Sequence, residues 1–350
     1  MIKILHTGDW HLDSPFQGRT AQQAAYLRRE LLKIPGKIAA VCKEENCDLM
    51  LLSGDLFDGA YTQESYRTVC DALRSVQIPV FITPGNHDFI SPDSPYEKEV
   101  WPENVHIFKK QNMEWVDIPE LPLRVYGAGF QSMDCPSLLE HFRAEEPAIG
   151  MFHGDPTQAS SPYNPVTKSQ ALRSGLRYLA LGHVHKGGSF QAGDTLCAWP
   201  GCPMGRGWDE EGEKGVLLVT LDEDVQLRFV PLDTPRFYDR EVDAAKGIAS
   251  VLPAVAGEDF YRVTLTGEAE SVDLDALQAE FAAFSNLVLR DHTRKPVDLW
   301  ENAGEDNFEG MYFGLLKDAL AEAEGELQEQ ILLAAKLSRQ ILAGQEVELP

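Results

Sequence analysis

The sequence predicts an α/β chain folded as a four-layer α-β-β-α sandwich, followed by a small β-α-β capping unit and a C-terminal helical pair. Three observations lead there. Apolar runs of strand length alternate with amphipathic helical stretches from Ile2 to Leu181, the pattern of parallel strands with helices packed outside. After Val184 the strands shorten and the turns become glycine-rich, as a second sheet packed on the first would require. Beyond Trp300 the apolar spacing turns helical and stays so.

In chain order, Ile2 to Thr7 reads as a buried strand, and Ala21 to Glu45 as a helix broken or bent near Pro35, whose ring cannot continue an interior turn. A strand at Leu49 to Ser53, a helix at Gln63 to Val76 and a strand at Pro79 to Thr83 follow. Further strands are expected at Val105 to Phe108, Leu123 to Tyr126, Ala148 to Phe152 and Tyr178 to Leu181, with helices at Ser137 to Phe142 and Pro165 to Ser174. The second sheet takes Gly188 to Gln191, Leu196 to Ala198, Val216 to Thr220 and Val225 to Val230. Pro231 to Pro235 marks a boundary, which gives domains at 1–232, 233–300 and 301–350. In the middle one, alternation over Phe260 to Leu265, a helical face of Leu274, Leu277, Phe281 and Phe284, and a strand at Asn286 to Leu289 make the β-α-β unit. Two helical patterns then part near Gly325.

A chain of 350 residues with 43% hydrophobic content is long enough for a main domain and a smaller unit. Its net charge of -24 favours solubility and opposes nonspecific attraction to nucleic acid or to anionic membrane. The apolar run at Ile2 to Leu5 is too short for a signal-peptide core, and no stretch approaches the ~20 apolar residues that cross a bilayer, so a cytoplasmic protein is expected. Cys42, Cys47, Cys70, Cys135, Cys197 and Cys202 lack C-x-x-C spacing and read as buried free thiols, a Cys42/Cys47 or Cys197/Cys202 zinc site being the alternative.

The chemistry lies at strand ends. Asp9 and His11 follow the first strand, Asp55 the second, and Asn86 and His87 the third, with His153, His183 and His185 downstream. Open α/β sheets deliver side chains from the carboxyl ends of their strands into one crevice, so these residues can converge. Each cluster alone has an ordinary explanation: D-x-H by chance, Pro84-Gly85-Asn86 as a turn, a single histidine as a surface residue. Their joint occurrence, with five of the nine histidines in one set, points to a two-metal hydrolytic centre. Asp, Asn and His without thiolate suit manganese, iron or zinc, with manganese first. His6, inside the first strand, reads as buried and hydrogen-bonded, and Asp88 as a support for its loop.

Asp9-Trp10-His11, Gly54-Asp55, Gly85-Asn86-His87-Asp88, His153 and Gly182-His183-Val184-His185 together resemble the signature of the calcineurin-like metallophosphoesterases over residues 1 to about 230. His6 to Leu12, Gly54 to Asp58, Pro200-Gly201-Cys202-Pro203 and Gly212 to Val216 are similar to the DNA-repair exonuclease branch, with its SbcD-like nuclease subunits and YhaO-like bacterial proteins. The resemblance implies one metal on Asp9, His11, Asp55 and His185 and a second on Asp55, Asn86, His153 and His183, serving in-line hydrolysis of a phosphoester. It implies His87 as the acid or hydrogen-bond donor to the leaving oxygen, with Asp58 to orient it. A histidine commonly occupies the position of Asp58 in archaeal and eukaryotic relatives, and a loop acid or helix cap is the other reading of Asp58 here.

The expected activity is a metal-dependent DNA exonuclease or endonuclease subunit acting with an SMC-like, SbcC-like ATPase. The alternatives are a phosphoesterase of small substrates such as cyclic nucleotides or phosphomonoesters, and a docking subunit with a vestigial metal site. Two divalent cations would keep the pocket attractive to phosphate despite the overall charge, since distant acids are screened over about 8 Å. Residues 301–350 carry eleven acidic against three basic side chains on an amphipathic pattern, fit for a partner or for the main domain; a homodimer is left open. Arg290, His292, Arg294 and Lys295 form the compact basic run, either an ordinary charged loop or an edge that meets phosphate, as capping units of related nucleases do.

Overall fold

Alternation along the strands decides the layering. In the computed structural model, which describes residues 1–145 and 148–344, Leu5 of β1 (Ile2–Thr7) and Met50 and Leu52 of β2 (Leu49–Leu52) pack beneath Leu27 and Leu31 of α1 (Ala21–Leu32), Ile38 of α2 (Ile34–Glu44) and Val69 and Leu73 of α3 (Gln63–Val76). Their neighbours Ile4, Leu49 and Leu51 point the other way. They meet Phe81 of β3 (Val80–Ile82), Ile149 and Met151 of β7 (Ala148–His153) and Tyr178 and Ala180 of β8 (Leu176–Gly182) in a core between two sheets. Ala148, Phe152, Leu179 and Leu181 face outward again, against Ala171 of α5 (Lys168–Ser174). Period-two burial on both sides of two sheets is the four-layer sandwich that the sequence predicts.

A short α4 (Pro95–Lys98) leads to β4 (Val105–Ile107), and β1 to β4 pair in parallel. The second sheet runs β5-β6-β7-β8-β10-β9, with β5 at Glu114–Ile118, β6 at Leu123–Gly127, β9 at Lys186–Ala192 and β10 at Thr195–Gly201. Its members β6, β7, β8 and β10 are mutually parallel where they pair. The strands after Val184 do not form that sheet by themselves. β11 (Gly215–Leu221) and β12 (Val225–Pro231) return to the first sheet, β11 lying antiparallel to β1 with Leu5 opposite Leu218. The second sheet instead starts at β5, a strand not among those expected.

The helix expected over Ser137 to Phe142 is a series of turns. Leu138 N–H donates to the Asn164 side chain at 2.8 Å, the Ser137 hydroxyl accepts from Gln170, and just upstream the Cys135 backbone bridges Tyr163. The long helix divides at Lys33, so that Pro35 falls in the first turn of α2, where its missing N–H costs no hydrogen bond. Thr20, Thr62 and Thr167 cap α1, α3 and α5 with capping boxes. All six cysteines are buried and free. Among the described residues no helix is long and apolar enough to cross a membrane.

The chain divides into two compact units. The first comprises Met1–Asp239, Val255–Arg262 and Ala283–Leu287, and holds both large sheets. The second takes Arg240–Ala254, Val263–Ala282 and the chain from Val288 onward. A three-stranded sheet in the order β13 (Phe237–Asp243), β14 (Phe260–Thr266), β15 (Leu287–Asp291) has residues in both, and α6 (Leu274–Glu280) lies in the second. There too, α7 (Phe308–Glu322) and α8 (Glu326–Leu342) form the helical pair, joined by Tyr312 Oη to Ser338 Oγ at 2.9 Å and by the Arg339 guanidinium 3.7 Å over the Phe313 ring. The last part of the expected 301–350 segment, residues 345–350, lies outside the described residues.

Candidate metal centre

The expected site residues stand at or just past the carboxyl ends of five strands, His153 being the last residue of β7, and these ends meet. The segment after β1 runs beside the segment after β2: Asp9 N–H donates to Gly54 O and His11 N–H to Asp55 O, both at 2.9 Å, and Leu12 bridges Phe57. To make these turns Asp9, His11, Asp55 and His183 adopt positive φ (53°, 47°, 51° and 95°), a conformation that costs an L-residue about 1 kcal/mol each. The surrounding fold over-determines them. A Cβ on Gly85 would strike the Asp55 carboxylate, and one on Gly54, itself at φ 96°, would strike the His153 ring, so neither position has room for a side chain.

Asp55 lies among the histidines. Its Oδ1 accepts from His87 N–H at 2.9 Å, and its Oδ2 is 3.2 Å from His153 Nε2 and 3.7 Å from His11 Nε2. His153 Nε2 lies 2.9 Å from Asn86 Oδ1 and 3.2 Å from His183 Nδ1, which is itself 3.2 Å from Asn86 Oδ1. Asp9 accepts from His183 N–H at 2.9 Å and approaches His153 Nδ1 to 3.8 Å. His11 Nε2 and His185 Nε2 stand 3.0 Å apart. Asp9, His11 and His185 form one group of side chains with donor atoms close enough to hold a cation, and Asp9, Asp55 and His153 another. The fit to divalent metal ions is thus direct: two imidazole nitrogens facing each other at 3.0 Å are bridged by a proton or a cation, and the oxygen-and-nitrogen donor set suits the latter.

The electrostatics follow from crowding. Burial would raise the Asp55 carboxyl, but the imidazoles of His153, His11 and His87 hold it well below the usual carboxylate range. Burial likewise opposes a charge on His153, and Asp55 beside it outweighs that, lifting His153 to about 9. Burial and the neighbouring His153 bring His183 down to about 4. Asp88 is fully enclosed and pushed up to about 6 by burial and by Asp55. It holds the two loops together, accepting from Leu56 N–H at 2.7 Å, Gly85 N–H at 2.8 Å and Tyr96 O–H at 2.6 Å.

At the rim, His87 Nδ1 meets Asp58 Oδ1 at 2.9 Å, and the same oxygen is 3.5 Å from His11 Nδ1. Burial would raise the Asp58 carboxyl, but His11 and His87 hold it low, while His87 is raised by its bond to Asp58. His6 stays out of the cluster, bonded to Tyr178 Oη at 2.7 Å and Ser53 Oγ at 3.0 Å.

Three further residues, Glu210, Arg206 and Asn164, stand beside the site outside any of its motifs. Glu210 Oε1 lies 2.6 Å from His185 Nδ1, Arg206 binds Glu210 at 3.0 Å and reaches within 3.9 Å of Asp58, and Asn164 Nδ2 donates to His153 O at 2.8 Å. Arg206 and Glu210 lie between the two runs, Pro200 to Pro203 and Gly212 to Val216, that mark this region in the sequence. They lie in a loop, where spacing along the chain carries no pairing signal, and only these two flanking runs point to the region.

Residues 2–187 match the family model described as calcineurin-like phosphoesterase. The uncharacterized metallophosphoesterase YhaO of Bacillus subtilis (strain 168) is 32% identical over 249 residues, 65% of this chain and 60% of that protein. The SbcD component of nuclease SbcCD from the same organism is 24% identical over 269 residues, 62% of this chain and 66% of that protein. The matches thus span just under two thirds of either relative. Among solved structures, a dimetal phosphatase from Danio rerio aligns over 65% of this chain and 95% of that one, at 12% identity and a TM-score of 0.44. With the family model covering more than half of its length, the chain belongs to the calcineurin-like phosphoesterases, metal-dependent hydrolases.

Proposed function

We propose that this protein is a dinuclear metal-dependent phosphodiesterase whose substrate is DNA, working as a nuclease in DNA repair. Asp9, His11, Asp55 and His185 would hold one divalent ion and Asp55, Asn86, His153 and His183 the other, manganese being the first choice and iron or zinc the next. The observation that carries this reading is the position of Asp55, within 3.2 Å of His153 in one set and 3.7 Å of His11 in the other. A pair of bound divalent ions supplies Lewis acidity and offsets the charge of the phosphoryl oxygens.

The chain's own residues do the rest. His87, with Nδ1 committed to Asp58, has its other nitrogen to give a proton to the leaving oxygen, and its raised pKa keeps that proton available near neutrality. Asp58 accepts the Nδ1 hydrogen and so orients the protonated ring. Asp88, bonded to the backbone of both loops, keeps Asp55 and Asn86 in register.

DNA as substrate and an SMC-like ATPase as partner are supported by the likeness to the SbcD component of nuclease SbcCD. The domains proposed are 1–232 for catalysis, 233–300 for capping and 301–350 for docking, with the exposed Arg290, His292, Arg294 and Lys295 as a phosphate-contacting edge and the cytoplasm as the site of action. The test is hydrolysis of linear single- and double-stranded DNA beside bis-p-nitrophenyl phosphate, with manganese, magnesium and zinc in turn. Cleavage of DNA with manganese supports the reading. Turnover of the small ester alone would replace it with a small-substrate phosphoesterase, and no turnover by a fully metal-loaded chain would leave a docking subunit.

A further inference from the structure

We propose that Glu210, held in place by Arg206, is a positioning residue that fixes His185 as an Nε2 ligand. This rests on the reading of His185 as a metal ligand given above, and neither Glu210 nor Arg206 belongs to the motifs that suggested that reading.

Both oxygens of Glu210 are committed to donors. Oε1 meets His185 Nδ1 at 2.6 Å and receives an Arg206 Nη2 hydrogen at 3.0 Å. Oε2 receives the Arg206 backbone N–H at 2.7 Å and the Cys202 thiol at 3.6 Å. A carboxylate only accepts, and Glu210 Oε1 at 2.6 Å is nearer to Nδ1 than Arg206 Nη2, a donor 3.0 Å from the same nitrogen, so Glu210 sets the ring hydrogen on Nδ1 and leaves a bare lone pair at Nε2. That lone pair faces His11 Nε2, 3.0 Å away. The other tautomer would place a hydrogen in the space between the two rings and leave two acceptors facing each other at 2.6 Å. A ring nitrogen that donates to a buried carboxylate while its partner nitrogen points at a cation is the arrangement by which such supports raise metal affinity.

Arg206 extends the connection. The same guanidinium that braces Glu210 lies 3.9 Å from Asp58, the residue that holds His87, so one side chain touches the supports of both the ligand and the acid. Its Nε is buried and has no hydrogen-bond partner among the described residues, which ties Arg206 to this place by its two ends rather than by its stem.

The experiment uses the full chain and two readouts that do not depend on turnover. Nitrogen-15 shifts of the histidine rings report the His185 tautomer, and calorimetric titration with manganese reports each binding event. The wild-type chain should show His185 protonated at Nδ1. Glu210→Ala should mix or reverse the tautomer and weaken one of the two manganese equivalents roughly 10- to 100-fold, with the other unchanged, the scale of a lost outer-shell partner. Glu210→Gln keeps the shape and an acceptor for the ring, so a several-fold weakening of the same equivalent is expected, and this variant carries the test if the alanine variant does not fold. An unaltered His185 tautomer and unaltered affinity in the variants would overturn the proposal. If the wild-type chain takes up no metal, the ligand reading fails, and an unchanged tautomer in Glu210→Ala, which removes the acceptor, would still dispose of the Glu210 assignment separately.

Discussion

His87 Nδ1 lies 2.9 Å from Asp58 Oδ1, and that oxygen is also 3.5 Å from His11 Nδ1, so one carboxylate addresses both the rim histidine and a buried one. Because His87 is partly exposed and His11 fully enclosed, the same acid stands beside a group facing solvent and a group facing the interior. The two histidines differ in what they lose on substitution.

His87→Ala should leave metal content unchanged and lower turnover of bis-p-nitrophenyl phosphate by about two orders of magnitude or more, the scale of a lost general acid. Metal analysis beside steady-state kinetics checks this. Retained turnover would remove His87 from the chemistry. Asp58→Asn keeps the shape but removes the charge that favours the protonated ring, so a smaller loss is expected.

Asp55→Ala should abolish metal loading altogether, because Asp55 approaches members of both ligand sets, whereas Asn86→Ala should reduce the bound metal without eliminating it. Metal content of purified variants by elemental analysis separates the two. Equal content in both variants would deny Asp55 its shared position.

Gly85→Ala should cost about 2 kcal/mol of stability through overpacking and reduce metal uptake as well, since the added methyl would fall on the Asp55 carboxylate and backbone. Urea unfolding and metal content are the measurements. A variant with wild-type values in both would show that the loop has slack.

His6 supplies a pH dependence away from the metal ligands. Burial lowers it from 6.5 to about 3, a Leu181 backbone bond only partly countering the effect. Above pH 6.5 folded and unfolded chains both hold it neutral. Below 6.5 the unfolded chain gains a proton that the folded chain refuses, so stability falls by about 1.4 kcal/mol per pH unit until the folded group titrates near 3. His6→Gln should show a shallower loss than wild type between about pH 6.5 and 5 in urea midpoints. Parallel curves would contradict the buried neutral histidine.

Much of this site was legible in the sequence because its residues follow apolar strands directly, and a parallel sheet brings the ends of its strands together whatever the distance along the chain. The layering was legible for a similar reason, since Ile4 and Leu5, or Leu51 and Leu52, take opposite faces by the pleat alone. What escaped depends on long-range pairing. Nothing local in Gly215 to Leu221 says that it joins β1, because the register of Leu5 with Leu218 is set by packing across more than two hundred residues. The stretch from Ser137 to Phe142 reads as a helix and fails to become one because Asn164 and Tyr163, fixed by another strand's loop, hold the backbone around it. Glu210 and Arg206 escaped because a support has no set spacing from the ligand it orients, and is found only when both are seen in space.

Whether these side chains hold two cations in one cleft is answered by manganese-soaked crystals measured at the manganese absorption edge. Two anomalous peaks are predicted, one among Asp9, His11, Asp55 and His185 and one among Asp55, Asn86, His153 and His183. A single peak, or peaks away from Asp55, would rule out a two-metal centre at these residues.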